Sequence, residues 1–170
     1  QCDRRQRQMC IRDSFSTTIK GSNANHLKVR DCNFKYASCY AHMLNQINSG
    51  STISPADNET FETQTRITSS PNVSFNGCAF RYTDGDVIHT QGGDTTIIDC
   101  YFNFIDKTVA NLSSVMTTLR LMGDNNLVSH NTIHKTAASS TLNSGNRPIV
   151  EYNDLSDTGH LQSDGAMIHL

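Results

Sequence analysis

Val128-Ser129-His130-Asn131-Thr132-Ile133 is followed 22 residues later by Val150-Glu151-Tyr152-Asn153-Asp154-Leu155, and the two stretches share one pattern: apolar, two variable positions, Asn, one variable position, apolar. Earlier in the chain Ile97-Ile98-Asp99-Cys100-Tyr101-Phe102, Phe75-Asn76-Gly77-Cys78-Ala79-Phe80 and Val29-Arg30-Asp31-Cys32-Asn33-Phe34 repeat it with Cys in place of Asn. From Cys32 onward these Cys or Asn positions stand 46, 22, 31 and 22 residues apart, which fits a unit of about 22 residues with an insertion of about nine before Asn131. The first interval is either two units or one unit with a long excursion.

Inside each unit apolar and polar residues alternate, with Val, Ile and Thr frequent, which is the period of a strand and not of a helix. Gly92-Gly93-Asp94, Gly123-Asp124-Asn125 and Ser144-Gly145-Asn146 punctuate the runs as turns. A unit this short cannot bury its apolar face by itself, but like units stacked at about 4.8 Å bury a continuous core. The expected fold class is all-β, a β-solenoid, with helix a minority at most. The Cys/Asn column has its own reason: Asn side chains on adjacent rungs can bond amide to amide inside a bend, and Cys can replace Asn as a small buried hydrophobe. Cys32, Cys78, Cys100, Asn131 and Asn153 form this expected ladder, with Cys78 and Cys100 neighbours as a buried thiol pair in preference to a disulfide.

A chain of 170 residues suits one folding unit, and 36% hydrophobic residues exceeds what a disordered chain usually carries. No apolar run approaches the roughly 18 residues that would span a membrane. The net charge of -2 gives no sequence-wide positive field for a phosphate backbone, so nucleic acid is not an expected partner. Arg4, Arg5 and Arg7 form the main basic cluster and read as a solvated terminal segment. Residues 1–25 read as a cysteine-containing N-terminal segment, the edge of a preceding module or rung, and 26–170 as the solenoid, with an excursion at about 42–70 and an insertion at about 105–115. The strand-like stretch Ala166-Met167-Ile168-His169-Leu170 leads us to expect that the solenoid continues past residue 170.

The chain holds six cysteines and no Cys-x-x-Cys pair, a usage that suits an oxidising, extracellular compartment better than a zinc or redox site. Cys2 with Cys10 and Cys32 with Cys39 are disulfide candidates by proximity, although spacing does not determine connectivity. Asn58, Asn72 and Asn111 open N-glycosylation patterns. Asn58 falls in the excursion and Asn111 in the insertion, where exposed loops are expected.

A second register runs beside the ladder. Asp84-Gly85-Asp86-Val87-Ile88-His89 and Asp164-Gly165-Ala166-Met167-Ile168-His169 match at four of six positions and read as one strand on different rungs. Thr118-Leu119-Arg120 and Thr141-Leu142-Asn143 fill the rungs between, so Ile88, Leu119, Leu142 and Ile168 should point inward and His89, Arg120, Asn143 and His169 outward. Such a column could serve β-elimination on a uronate, Arg120 neutralising the carboxylate and His89 or His169 removing the C5 proton. Three rungs, about 14 Å, would separate His89 from His169, so at most one can be that base. Outward residues on a solvated sheet are also polar simply because they face water. Asp84, Asp86, Asp94 and Asp99 lack calcium-loop spacing and read as turn residues, and His130 with His134 would pair on a metal only in a helix. No metal or cofactor is expected, and no phosphate loop, nucleophile elbow or His-Glu-x-x-His motif is found in the chain.

The recurring apolar-x-x-Asn-x-apolar motif, as in Val128 to Ile133 and Val150 to Leu155, resembles the pectin-lyase-like superfamily of right-handed parallel β-helices over residues 26–170. The resemblance implies that architecture and leaves activity open, because the superfamily holds polysaccharide lyases, glycoside hydrolases, epimerases, phage tailspikes and non-enzymatic surface proteins. Its long parallel sheet often lines a glycan-binding groove, which makes His89, Arg120, Asn143 and His169 carbohydrate-binding candidates. Thr95 to Leu170, with Asp106-Lys107-Thr108-Val109-Ala110 and Leu161-Gln162-Ser163-Asp164-Gly165-Ala166-Met167, also resembles the β-helix portion of mastigoneme proteins, the flagellar hair subunits of heterokont algae and their relatives. That second resemblance implies a secreted, glycosylated filament protomer without an active site, whose partners are its own copies or other extracellular subunits. The leading expectation is a non-enzymatic extracellular structural subunit. The alternative is a polysaccharide lyase or glycoside hydrolase acting on an acidic glycan.

Overall fold

In all five repeats the residue just before the ladder position has positive φ: Asp31 (52°), Gly77 (63°), Asp99 (54°), His130 (57°) and Tyr152 (53°). One left-handed residue followed by one ladder residue makes a two-residue bend, and a strand enters and leaves each bend in the computed structural model. The model describes residues 19–37, 65–83, 86–106, 117–137, 140–161 and 166–170.

The strands entering the bends, β2 (Lys28–Arg30), β5 (Ser74–Asn76), β8 (Thr96–Ile98), β11 (Leu127–Ser129) and β14 (Ile149–Glu151), form one parallel sheet, sheet B. Those leaving, β3 (Asn33–Lys35), β6 (Ala79–Thr83), β9 (Tyr101–Ile105), β12 (Thr132–Thr136) and β15 (Asp154–Thr158), form sheet C. The remaining strands, β1 (Ile19–Ser22), β4 (Thr65–Thr68), β7 (Ile88–Gln91), β10 (Thr117–Met122), β13 (Ser140–Ser144) and β16 (Ile168–His169), form sheet A. Each strand pairs in parallel with the third strand before and after it, so the chain visits the three sheets in rotation, the pairing pattern of a β-solenoid. The described residues contain no helix.

The core runs up the middle as stacked columns. Phe75 and Ile97 are fully buried in sheet B, and Val128 is almost so. In sheet C, Phe34 stacks on Phe80 at 4.9 Å and Phe80 on Phe102 at 5.1 Å, nearly parallel, which is the inter-strand repeat carried by aromatic rings. The corner from sheet A to sheet B is glycine-lined because adjacent backbones touch there: a Cβ on Gly123 (φ 110°) would stand 2.5 Å from Gly93 N.

The ladder closes the bend with hydrogen bonds. Asn131 Nδ2 donates to Asn153 Oδ1 at 2.9 Å and to Ile97 O at 2.9 Å, while its Oδ1 accepts from Cys100 N at 2.9 Å. Asn153 Nδ2 in turn donates to Val128 O at 2.9 Å. Where Cys occupies the column, Sγ donates two residues back within its own bend, Cys32 to Arg30 O at 3.2 Å, Cys78 to Asn76 O at 3.5 Å and Cys100 to Ile98 O at 3.3 Å.

Two boundaries differ from the sequence reading, and strand pairing decides one interval that the sequence left open. The first described strand, β1, starts at Ile19, ahead of residue 26, and pairs with β4 from Ile19 opposite Thr65 to Ser22 opposite Thr68. It escapes the motif because sheet A strands carry no ladder residue. The excursion read as 42–70 ends sooner, since Thr65–Thr68 is already a strand and Ser70 is buried in the following turn. The interval of 46 is a single rung with a long excursion, because Val29 stands directly opposite Phe75. Asn58 and Asn111, and the excursion and insertion carrying them, lie outside the described residues. By chain order both belong to connections from a sheet C strand to the next sheet A strand.

Replacing Asn131 by Leu strands a buried backbone N–H at Cys100 and a carbonyl at Ile97. We expect a loss of about 1–3 kcal/mol per stranded group, with a smaller loss for Asn153→Leu on the more open last rung. Urea unfolding monitored by circular dichroism measures both. Equal and negligible losses would show that the column does not hold the bend.

Candidate functional site

The outer face of sheet A carries the polar column expected from the sequence. His89 is opposite Arg120, Arg120 opposite Asn143 and Asn143 opposite His169, while the backbone of Arg66 stands in register with His89 on the other side. Alternation puts Ile88, Leu119 and Leu142 inward, each at most 1% exposed. Ile168 shares that register but is 38% exposed, because β16 is the outermost described strand of the sheet. His89 and His169 stand three strand steps apart, on β7 and β16.

Each of the four side chains has a neighbour on the face. His89 Nε2 and Gln91 Nε2 are a hydrogen-bonded pair at 3.3 Å, and Asn143 Nδ2 and His169 Nδ1 another at 3.4 Å. Arg120 has a partner that the sequence reading missed: its Nε lies 3.1 Å from Asp86 Oδ2. The Asp86 side chain is only 5% exposed, and its Oδ1 accepts from Thr117 N at 2.8 Å. Burial pushes the Asp86 carboxyl up to about 6, against the opposing pull of the Arg120 charge and the Thr117 hydrogen bond. The sequence offers one signal for this contact. Asp86 precedes Ile88 by two residues as Thr117 precedes Leu119, so equal rung register brings Asp86 beside the strand that carries Arg120.

Chemically this is a buried carboxyl able to exchange a proton near neutrality, an adjacent guanidinium, and an imidazole one strand away. Arg120 spends part of its charge on Asp86, and the polar groups run along the solenoid axis instead of converging on one point.

The other singled-out residues are distributed as follows. Cys78 and Cys100 are unbridged, and a hydrogen bond from the Cys100 thiol lowers Cys78 to about 7. That same bond, reinforced by burial, raises Cys100. No disulfide occurs among the described residues. The Cys32–Cys39 candidate falls partly outside the described residues; on its described side Cys32 Sγ points at Arg30 O within the ladder. Cys2, Cys10 and Cys39 lie outside the described residues. Asn72 is exposed at the corner from sheet A to sheet B, in the left-handed region (φ 60°). His130 occupies a bend and stacks on Tyr152 at 5.0 Å, whereas His134 faces outward from β12 against Ser156, so the two share no site. Among the described residues no three His, Cys, Asp or Glu side chains are grouped to hold a metal ion. No described helix is long and apolar enough to cross a membrane.

A second buried polar residue also escaped the sequence reading. Asn126, fully buried, accepts from Thr95 N at 3.0 Å and donates to Leu121 O, Gly123 O and Ser144 Oγ, tying three rungs at the corner between sheets A and B. It adjoins Asn125 in a turn-like triplet, which disguises it as a solvated turn residue.

No protein-family model, curated protein or solved structure matches this chain.

The raised Asp86 carboxyl makes stability depend on pH with a definite sign. The folded protein holds this proton more tightly than the unfolded chain, so the favourable contribution is complete below about pH 4 and is lost as pH rises through about 6. The loss amounts to at most about 3 kcal/mol. Urea unfolding at pH 4, 5, 6 and 7 should show wild type weakening relative to Asp86→Asn across that window. Parallel pH profiles for the two proteins would remove the buried carboxyl as a source of pH dependence.

Proposed function

We propose that this chain is a stretch of a right-handed parallel β-helix of pectin-lyase-like type that serves as a non-enzymatic, extracellular structural subunit, a glycosylated component of a surface assembly or filament of the mastigoneme kind. The observation that carries the reading is the state of the sheet A column, where a glycan-cleaving site of such a fold would be sought. Its one guanidinium with a described side chain, Arg120, is paired with a buried carboxylate of the same chain, and His89, Asn143 and His169 hydrogen-bond along the face. A uronate lyase needs a cation directed at substrate and a base at the same sugar carbon.

The rest of the molecule supports the reading. Interior aromatic stacks and an Asn/Cys ladder make identical rungs stack, and stacking of identical units is the physics of assembly. In chain order Asn58 and Asn111 both fall between a sheet C strand and the next sheet A strand.

One observation favours the alternative, a polysaccharide lyase or glycoside hydrolase acting on an acidic glycan: Asp86 is a proton-exchanging carboxyl beside Arg120 and one strand from His89. Electron microscopy of natively secreted material, with mass spectrometry of Asn58, Asn72 and Asn111 in the same sample, separates the readings. Ordered filaments or sheets carrying glycan are the expected result. Unassembled, unglycosylated protein that releases unsaturated uronate ends from polygalacturonate, with activity abolished in Arg120→Ala, would replace the structural reading with the enzymatic one.

A further inference from the structure

The outer face of sheet C carries the densest arrangement of cations and aromatic rings among the described residues. Four residues after each ladder position the backbone again turns left-handed, at Tyr36 (φ 59°), Tyr82 (58°), Phe104 (54°), Lys135 (58°) and Asp157 (51°). Bulky residues rarely adopt this conformation, and its recurrence on five rungs is strain that the fold must support. Tyr36 stacks on Tyr82 at 5.1 Å, Tyr82 on Phe104 at 5.4 Å, and Lys135 Nζ sits 4.8 Å from the centre of the Phe104 ring. One column over, Lys35, Arg81, Asn103 and His134 stand in register, rung upon rung. Arg81 lies over the Tyr101 ring at 5.1 Å, and Asn103 Nδ2 donates to the Tyr101 hydroxyl at 2.8 Å.

The cations of this face are left to the outside. Among the described residues no carboxylate lies within salt-bridge distance of Lys35, Arg81 or Lys135, in contrast to Arg120 with Asp86 and Arg147 with Asp124. Among the described residues of this face acid enters at the last rung, where Asp154 and Asp157 stand, Asp157 Oδ2 lying 3.7 Å from His134 Nδ1. A chain of net charge -2 thus presents three cations, Lys35, Arg81 and Lys135, along about 14 Å of this face, bounded by Asp157 at its last described rung.

We propose that the outer face of sheet C binds a strand of acidic polysaccharide laid along the solenoid axis, its carboxylates against Lys35, Arg81 and Lys135 and its hydroxyls against Asn103, His134 and the tyrosine edges. Charge complementarity selects an anion, and the planar Arg81 fork suits carboxylate in particular. The ring geometry selects against nucleic acid. Base stacking needs a free aromatic face, and Tyr82 has neighbouring rings on both of its faces. Binding here needs no chemistry on sheet A and stands whether or not copies of the chain assemble.

Binding of the full chain to polygalacturonate, dextran and a single-stranded DNA oligonucleotide at low and moderate salt tests the surface. Retention on polygalacturonate that weakens with salt is expected, with none on dextran and much less on DNA. The double variant Arg81→Gln/Lys135→Gln should bind at least about tenfold more weakly, the loss that removing one or two charge-assisted contacts brings. Arg81→Lys/Lys135→Arg should retain binding, and so should Lys28→Gln on sheet B. Circular dichroism and melting temperature establish that each variant is folded. Absence of binding to polygalacturonate at low salt, equal binding of DNA, or loss of binding in Arg120→Ala but not in the double variant would each overturn the assignment.

Discussion

Everything in this fold depends on the chain returning to the same place one strand-spacing higher after every turn. The bend between sheets B and C enforces that return. It is two residues long on all five described rungs, its first residue is always left-handed, and its second is Cys or Asn. A bend without slack sets the register of β2, β5, β8, β11 and β14 against their neighbours and of the sheet C strands that follow. Once register is set, like stacks on like: Phe34 on Phe80 on Phe102 inside, and Tyr36 on Tyr82 on Phe104 outside. Asn131 and Asn153 close the bend with amide bonds, whereas Cys78 and Cys100 close it with a thiol pair and small buried volume, two chemical solutions to one geometric demand.

In-register stacking also governs what the surface can do. Outward side chains fall into straight columns, so groups on one column are spaced along the axis and cannot converge on a single atom. The sheet A column obeys this rule. His89, Arg120, Asn143 and His169 follow one another strand by strand, and the contact that breaks the pattern, Arg120 with Asp86, comes from the edge of the strand where the chain enters the sheet. A linear array of charge fits an extended partner better than a small one. The same holds for the outer face of sheet C, where cations lean on rings instead of on carboxylates.

On the described rungs length variation spares one corner: the bend from sheet B to sheet C is constant, whereas equivalent positions across the corner from sheet A to sheet B stand seven residues apart from Ile67 to Ser74, six from Leu121 to Leu127 and five from Ser144 to Ile149. The bend between sheets B and C admits none, and the corner between sheets A and B is held by Gly123 and by the hydrogen bonds of Asn126. The connections from sheet C to sheet A absorb the larger length differences of the repeats, and the Asn58 and Asn111 acceptor patterns fall within them in chain order. Length change can therefore accumulate there without disturbing the stacked core.

The sequence by itself determined the repeat, its ladder and the inside or outside placement of the sheet A residues, because each is a local period: one residue type recurring at a rung length, and alternation along a strand. It also made the left-handed bend intelligible through Asp31, Gly77 and Asp99, residue types that tolerate positive φ, though not through His130 or Tyr152. It could not tell whether the 46-residue interval held one rung or two, since the intervening chain carries no motif and only strand pairing counts turns. Nor could it see that Asp86 meets Arg120, that Asn126 ties three rungs, or that Tyr36, Tyr82, Phe104 and Lys135 form one exposed stack. Those residues are tens of positions apart in sequence, and tertiary structure alone decides such contacts, because what brings the residues together is the height gained per turn and not the distance along the chain.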